Sequence, residues 1–183
     1  MNTADLLLHP VRLRIVHALA GGRELTTTQL RDRMPDVSKV TMYRQVALLA
    51  EGGFLEVAGE QRVHGAVERR YRLRRERAVI DREAAASMSL EDHRQGFAAA
   101  MAALLAEFNA YFDREHADPF ADSVGYAQVP LWLSQDELAE LIGQVRDALL
   151  AQRENEPAPD RGLYLASPIL FPIGELPPRG PRP

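Results

Sequence analysis

Apolar residues recur at helical spacing over residues 9–20, where Val11, Ile15, Ala18 and Leu19 share a stripe behind Pro10, a residue suited to a first helical turn. Gly21 and Gly22 end that stretch. In Leu25-Thr26-Thr27-Thr28-Gln29-Leu30, Thr26 and Gln29 form a capping box flanked by Leu25 and Leu30 as a hydrophobic staple, which predicts a short second helix to about Met34, before Pro35. Ser38 offers the N-cap of a third helix that continues to Glu51 and stops at Gly52-Gly53. Beyond it the period changes. Residues 54–57 and 66–73 read as strands, separated by a polar segment containing Gly59 and Gly65. Helical spacing returns over 89–116, with Phe97, Met101, Leu104, Leu105, Phe108 and Phe112 on one stripe. Residues 118–124 then read as a loop and 126–133 as a strand. Ser134 and Glu137 form another capping box, ahead of Leu138, Leu141, Ile142, Val145 and Leu149 on a last amphipathic helix. The β-rich run 163–173 is interrupted by Pro168 and Pro172, so it predicts an edge or irregular strand.

Helix, helix-turn-helix and hairpin in that order are the elements of a winged helix. The expected fold is therefore α+β, mainly α. Residues 1–80 form the winged helix-turn-helix, and residues 81–176 a helical to α+β dimerisation region in which a strand-helix-strand segment packs on the long helix. Residues 177–183 form a flexible proline-rich tail. At 183 residues and 46% hydrophobic, the chain is large enough to bury a core. No apolar run reaches the length of a membrane span and the N-terminus lacks the order of a signal peptide, so the expected location is the cytoplasm, with no membrane partner. Cysteine is absent, which removes disulfides, thiolate metal sites and cysteine nucleophiles together.

The net charge of −4 conceals a division. Residues 1–80 carry 14 Lys or Arg against 9 Asp or Glu, whereas 81–183 carry 8 against 17. A basic first half is the electrostatic footprint of a phosphate-binding module. On a helical wheel of the third helix, Met42, Val46 and Leu49 point to the core, while Val40, Thr41, Tyr43, Arg44 and Ala47 turn partly or fully away. Arg44 suits a guanine edge, Thr41 a base edge or phosphate, and Val40 a thymine methyl, with Tyr43 beside them. Ser38 and Lys39, the chain's only lysine, stand at the helix N-terminus, where N–H groups favour phosphate. Residues 61–77 hold seven arginines against Glu68 and Glu76. Arg62 and His64 at the hairpin tip are placed to follow a phosphate backbone or enter a minor groove, and Arg69 adds a strand position. Alternate arginines on a strand face opposite ways, so some of the seven must serve salt bridges or solvation instead.

Residues 37–55, Val-Ser-Lys-Val-Thr-Met-Tyr-Arg-Gln-Val-Ala-Leu-Leu-Ala-Glu-Gly-Gly-Phe-Leu, resemble the recognition helix and following turn of ArsR-like winged helix regulators. His9-Pro10-Val11-Arg12 is similar to the start of their first helix, and Gly65-Ala66-Val67-Glu68-Arg69-Arg70-Tyr71 to the wing of a non-metal branch with an enlarged C-terminal region. The resemblance covers the first 75 to 80 residues and implies a homodimer that recognises a palindromic operator in double-stranded DNA, usually as a repressor. The missing cysteines set the chain apart from the family's thiolate metal sensors.

Other chemistries find little support. Asp113 with His116, or Asp92 with His93, is an incomplete ligand set, so no metal and no cofactor are expected. No phosphate-binding loop, nucleophile elbow, dinucleotide fingerprint or zinc-protease helix is present, and no enzymatic activity is expected. The aromatic stripe reads as domain or dimer core; the competing reading is a small-molecule effector pocket lined by Phe97, Met101, Phe108 and Trp132. The alternative function is a winged-helix protein-interaction module without DNA binding, which would carry acidic or large apolar residues at Lys39, Thr41, Tyr43 and Arg44.

Overall fold

The computed structural model describes residues 9–63, 66–74, 76, 86–153 and 155–177. All but the first residue of the expected proline-rich tail lies outside them. Helix α1 (Pro10–Ala18) starts at His9, whose Nδ1 accepts a hydrogen bond from the Val11 N–H at 3.2 Å. A 3₁₀ turn (Ala20–Gly22) follows, where Gly21 and Gly22 take φ of 71° and 78°, a region costly for any residue with a Cβ. Strand β1 (Glu24–Thr26) leads directly into α2 (Thr27–Arg33), and both hydrogen bonds of the expected capping box form: Gln29 N–H donates to Thr26 Oγ1, and Thr26 N–H to Gln29 Oε1. Helix α3 (Lys39–Glu51) is capped by Ser38 and ends at Gly53, whose φ of 75° turns the chain so that Phe54 N–H reaches back to Leu49 O.

Strands β2 (Leu55–Val63) and β3 (Ala66–Leu73) complete a three-stranded antiparallel sheet of order β1-β3-β2. Two features differ from expectation. Strand β2 runs on through Gly59, a residue assigned to the polar link, because a bulge between Val57 and Gly59 absorbs one residue and restores the pairing. Strand β1 is too short to show alternation, yet it pairs Leu25 with Tyr71 and Thr26 with Arg70. The core draws on all three helices and the sheet: Ile15 and Leu19 from the first helix and its end, Leu30 and Met34 around the second, Met42, Val46 and Leu49 from the third, Phe54 after it, and Leu25 and Leu55 from β1 and β2. Burial of each such side chain contributes roughly 1.5–3 kcal/mol, so this cluster holds the three helices against the sheet.

The C-terminal region is helical, formed by α4 (Leu90–Phe112) and α5 (Gln135–Arg153). The strands expected at 126–133 and 163–173 are not formed; both segments run as irregular chain without ladder partners. Their apolar residues have no neighbouring strand to pair with, and Pro130, Pro168 and Pro172 each remove a donor that a ladder would need. The strand-helix-strand unit is thus replaced by a single helix between two irregular segments. Helix α4 starts from a capping box between Ser89 and Asp92, and α5 from the expected one between Ser134 and Glu137.

Helix α4 meets α1 through a face that the aromatic stripe did not indicate. Ala99 and Ala103 are the buried residues of α4, and Glu107, one turn further on, bonds Arg14 of α1 at 3.2 Å. Small side chains at i and i+4 let the two helices approach closely. The stripe from Phe97 to Phe112 lies about 140° round the helix from this face, given 3.6 residues per turn.

Candidate nucleic-acid interface

Helix α3 divides as its wheel predicts. Met42, Val46 and Leu49 are buried, and Val40 is 80% exposed, with Tyr43, Arg44 and Ala47 also exposed and Thr41 partly so. Ser38 Oγ accepts the Thr41 N–H at 3.2 Å and donates to Thr41 Oγ1 at 2.9 Å, which leaves the threonine hydroxyl hydrogen free to point outward. The Lys39 ammonium lies 5.9 Å from the centre of the Tyr43 ring, within cation–π range. Ser38, Lys39, Val40, Thr41, Tyr43 and Arg44 therefore occupy the first two turns of one helix, at the end where free N–H groups attract anions.

Two buried arginines fix the pitch of this helix, and sequence reasoning missed both because arginine is rarely buried unless paired. Arg12 is 8% exposed and its Nη1 donates to Gln45 Oε1 of α3 at 3.3 Å. Arg14, 3% exposed, donates from Nη1 and Nη2 to both oxygens of Asp36 at 2.6 and 3.0 Å. Asp36 belongs to the turn between α2 and α3, so α1 clamps the helix-turn-helix at its bend and, through Glu107, ties it to α4. Burial works against the Arg14 charge, yet the bonds from Asp36 and Glu107 hold its pKa above the ordinary arginine value. The hydrogen bond from Arg14 holds the Asp36 carboxyl below its ordinary range. Burial lowers the His9 pKa from its ordinary value, and the charges of Arg12 and Arg44 lower it further.

The sheet separates the arginines into two groups. Arg69 Nε donates to Glu60 Oε1 at 2.9 Å, Arg70 pairs with Glu24 at 3.8 Å, and Arg72 and Arg74 share Glu56. Hydrogen bonds from Arg72 and Arg74 hold Glu56 below its ordinary pKa. These arginines pair across the sheet, and Arg69, whose side chain is 57% exposed, holds its pair at the surface. Arg62 and Arg44 are exposed, and among the described residues no carboxylate pairs with either. His64 lies outside the described residues.

Of the four proposed effector-pocket residues, Phe97, Met101 and Phe108 lie along one stripe of α4. Phe97 packs edge-on against Phe171 at 6.3 Å, Phe108 packs against Phe112 at 5.0 Å and Tyr126 at 6.0 Å, and Met101 is half-buried. Trp132 is fully exposed, so it lines no cavity with the other three. Asp92 is engaged in capping Ser89, and among the described residues no group of three or more His, Cys, Asp or Glu could hold a metal ion. No described helix is long and apolar enough to cross a membrane.

Residues 7–58 match the helix-turn-helix domain family. No curated protein matches the chain. The matched helix-turn-helix contains α1, α2 and α3 and stops inside β2, so β3, α4 and α5 lie beyond it. Every residue singled out on α3 falls within the match; Arg62, Arg69 and the aromatic stripe fall outside.

Proposed function

We propose that the protein is a sequence-specific double-stranded DNA-binding transcriptional regulator, acting as a dimeric repressor on a palindromic operator. The observation that carries this reading is the outward face of α3, where Lys39, Val40, Tyr43 and Arg44 stand exposed and Thr41 partly so, while the opposite face is held by the core and by Arg12 and Arg14. Helix α3 enters the major groove N-terminus first, as recognition helices do. Arg44 and Thr41 read base edges, Val40 meets a thymine methyl, and Ser38 and Lys39 hold phosphate. Arg62 reaches the flanking backbone from the wing. No acidic residue occupies the first turn of α3, which favours an anionic partner over a protein-interaction surface. Residues 1–80 form the DNA-binding domain in this reading, and residues 81–176 supply dimerisation and any response to an effector.

The test is selection of bound fragments from genomic DNA at two salt concentrations, followed by titration of the selected site. Arg44→Ala relaxes preference at one base pair by about 1–3 kcal/mol, whereas Arg62→Ala weakens binding to all sequences and lowers the salt slope by about 1. Affinity that stays flat with salt, or an Arg44→Ala protein with unchanged preference, refutes the reading.

A further inference from the structure

The matched helix-turn-helix ends at residue 58, yet the bend ahead of α3 is held in part from outside it. Arg14 makes the link. Its guanidinium is a planar fork of fixed geometry: Nη1 and Nη2 donate to both oxygens of Asp36 at 2.6 and 3.0 Å, and Nε donates to Glu107 Oε1 of α4 at 3.2 Å. Because the Arg14 side chain is only 4% exposed, water does not take over a bond that shifts, so a displacement of Glu107 swings the plane that grips Asp36. Asp36 stands just ahead of Ser38, the N-cap of α3. Elsewhere α4 buries Ala99 and Ala103, whose short side chains set its distance from α1 but not its register. Register falls to Glu107.

His17 lies one turn along α1 from Arg14 and is half-buried. Its Nδ1 is buried and, among the described residues, has no hydrogen-bond partner, a condition that calls for a reason. Two influences act on the ring in opposite senses: burial, the larger, disfavours a proton, and the Glu107 carboxylate favours one. Among the described residues, the charged groups beside it are Arg14 on its own helix and Glu107 on α4; the side chain by which α3 bonds α1 is Gln45, which carries no charge. A protonated imidazole donates from both nitrogens, and Glu107, with a side chain 34% exposed and free to turn, is the acceptor at hand. We propose that Glu107 is a positioning residue for the recognition helix, acting through Arg14 on Asp36, and that a proton on His17 draws its carboxylate away from Arg14 and loosens the bend. Arg14 then keeps Asp36 but is no longer held from α4. This inference rests on the DNA-binding reading and adds to it the contact by which the C-terminal region reaches α3.

Two measurements on the full chain test it. The first needs no DNA: the backbone amide resonances of Asp36, Val37 and Ser38 are followed by NMR from about pH 8 to 5.5, together with the ring resonances of His17. In the unmodified protein the amides move in step with His17. In His17→Leu they stay in place, and leucine forfeits no bond at the unpartnered Nδ1. In Glu107→Gln they are displaced already at the alkaline end and respond little to acid. The second measurement is affinity for the selected DNA site at both ends of the same range. The unmodified protein weakens by about fivefold or more in acid, the lower end of an ordinary coupling between sites, whereas His17→Leu changes by less than about twofold and Glu107→Gln is weakened at both ends. The other histidines titrate in all three proteins, so the comparison cancels them. Amides at 36–38 that ignore the titration of His17 overturn the inference, and this result needs no variant to fold. So does sequence-specific binding whose acid dependence is the same in His17→Leu. Amides that follow His17 in a protein that binds no DNA remove the proposed function and leave the link from Glu107 to Asp36 standing.

Discussion

Replacing Arg14 should be milder than removing the two carboxylates it serves. Arg14 has a side chain only 4% exposed, whereas Asp36 is 59% exposed and Glu107 34%. Arg14→Met keeps the apolar stem in place and deletes three charge-assisted hydrogen bonds, but both carboxylates can then turn to water. Replacing the charged member of a buried pair with an apolar residue of similar volume is often close to neutral, so the expected loss is about 1 kcal/mol. The double variant Asp36→Ala, Glu107→Ala instead leaves the guanidinium at the α1–α3–α4 junction without the carboxylates that hold it there. An uncompensated buried charge costs about 3–5 kcal/mol. Because the two acids share one partner, their single variants should sum to less than the double. At about 2–4 °C per kcal/mol for a chain of this size, the double variant melts on the order of 10 °C lower and Arg14→Met only a few degrees lower. Urea unfolding followed by far-UV circular dichroism, with slopes compared to confirm a common transition, measures both. An Arg14→Met protein as unstable as the double variant would show that the packing of Arg14, and not its ion pairs, sets its contribution.

Acid should act through two histidines. Burial lowers the pKa of His9 and of His17, so the unfolded chain takes up their protons first and stability rises with pH through this range. Their contribution is complete above the ordinary value of 6.5 and is lost as pH falls through the lowered folded values; His9 then also forfeits its cap on Val11. The urea midpoint should therefore hold steady between about pH 7 and 8 and fall below 6.5, and a His9→Asn, His17→Leu protein should lack most of that fall. At α3, Ser38→Ala should cost about 1 kcal/mol and Ser38→Gly only a few tenths. Equal melting temperatures for the two would argue against the cap on Thr41.

Legibility followed the range of the interactions. The boundaries of α2, α3 and α5 were readable because Thr26, Ser38 and Ser134 act on N–H groups three residues away. The core face of α3 was readable for the same reason, since period 3.6 needs only local spacing. What failed was non-local. Arg12 and Arg14 owe their burial to Gln45, Asp36 and Glu107, 33, 22 and 93 residues away, and no spacing rule connects them. The residues 126–133 and 163–173 have strand-like composition but no partner strand, and β-propensity describes a surface to be packed more than a preference of the backbone. The wing arginines were readable as a group but not as individuals. The register of β2 on β3 decides that Arg69 meets Glu60, while among the described residues no carboxylate pairs with Arg62.

Strand β1 and the N-cap of α2 overlap at Thr26, which pairs with Arg70 on one side and receives Gln29 N–H on the other. This overlap governs where the chain tolerates a change of length. Inserting or deleting one residue between Arg23 and Leu25 would exchange the inward and outward positions of the strand, turning Leu25 out of the core and Glu24 into it. The cap one residue later leaves no slack to absorb the slip. Evolution can lengthen the irregular segments around α5 with little consequence for α1–α3, but the three residues of β1 must keep their count.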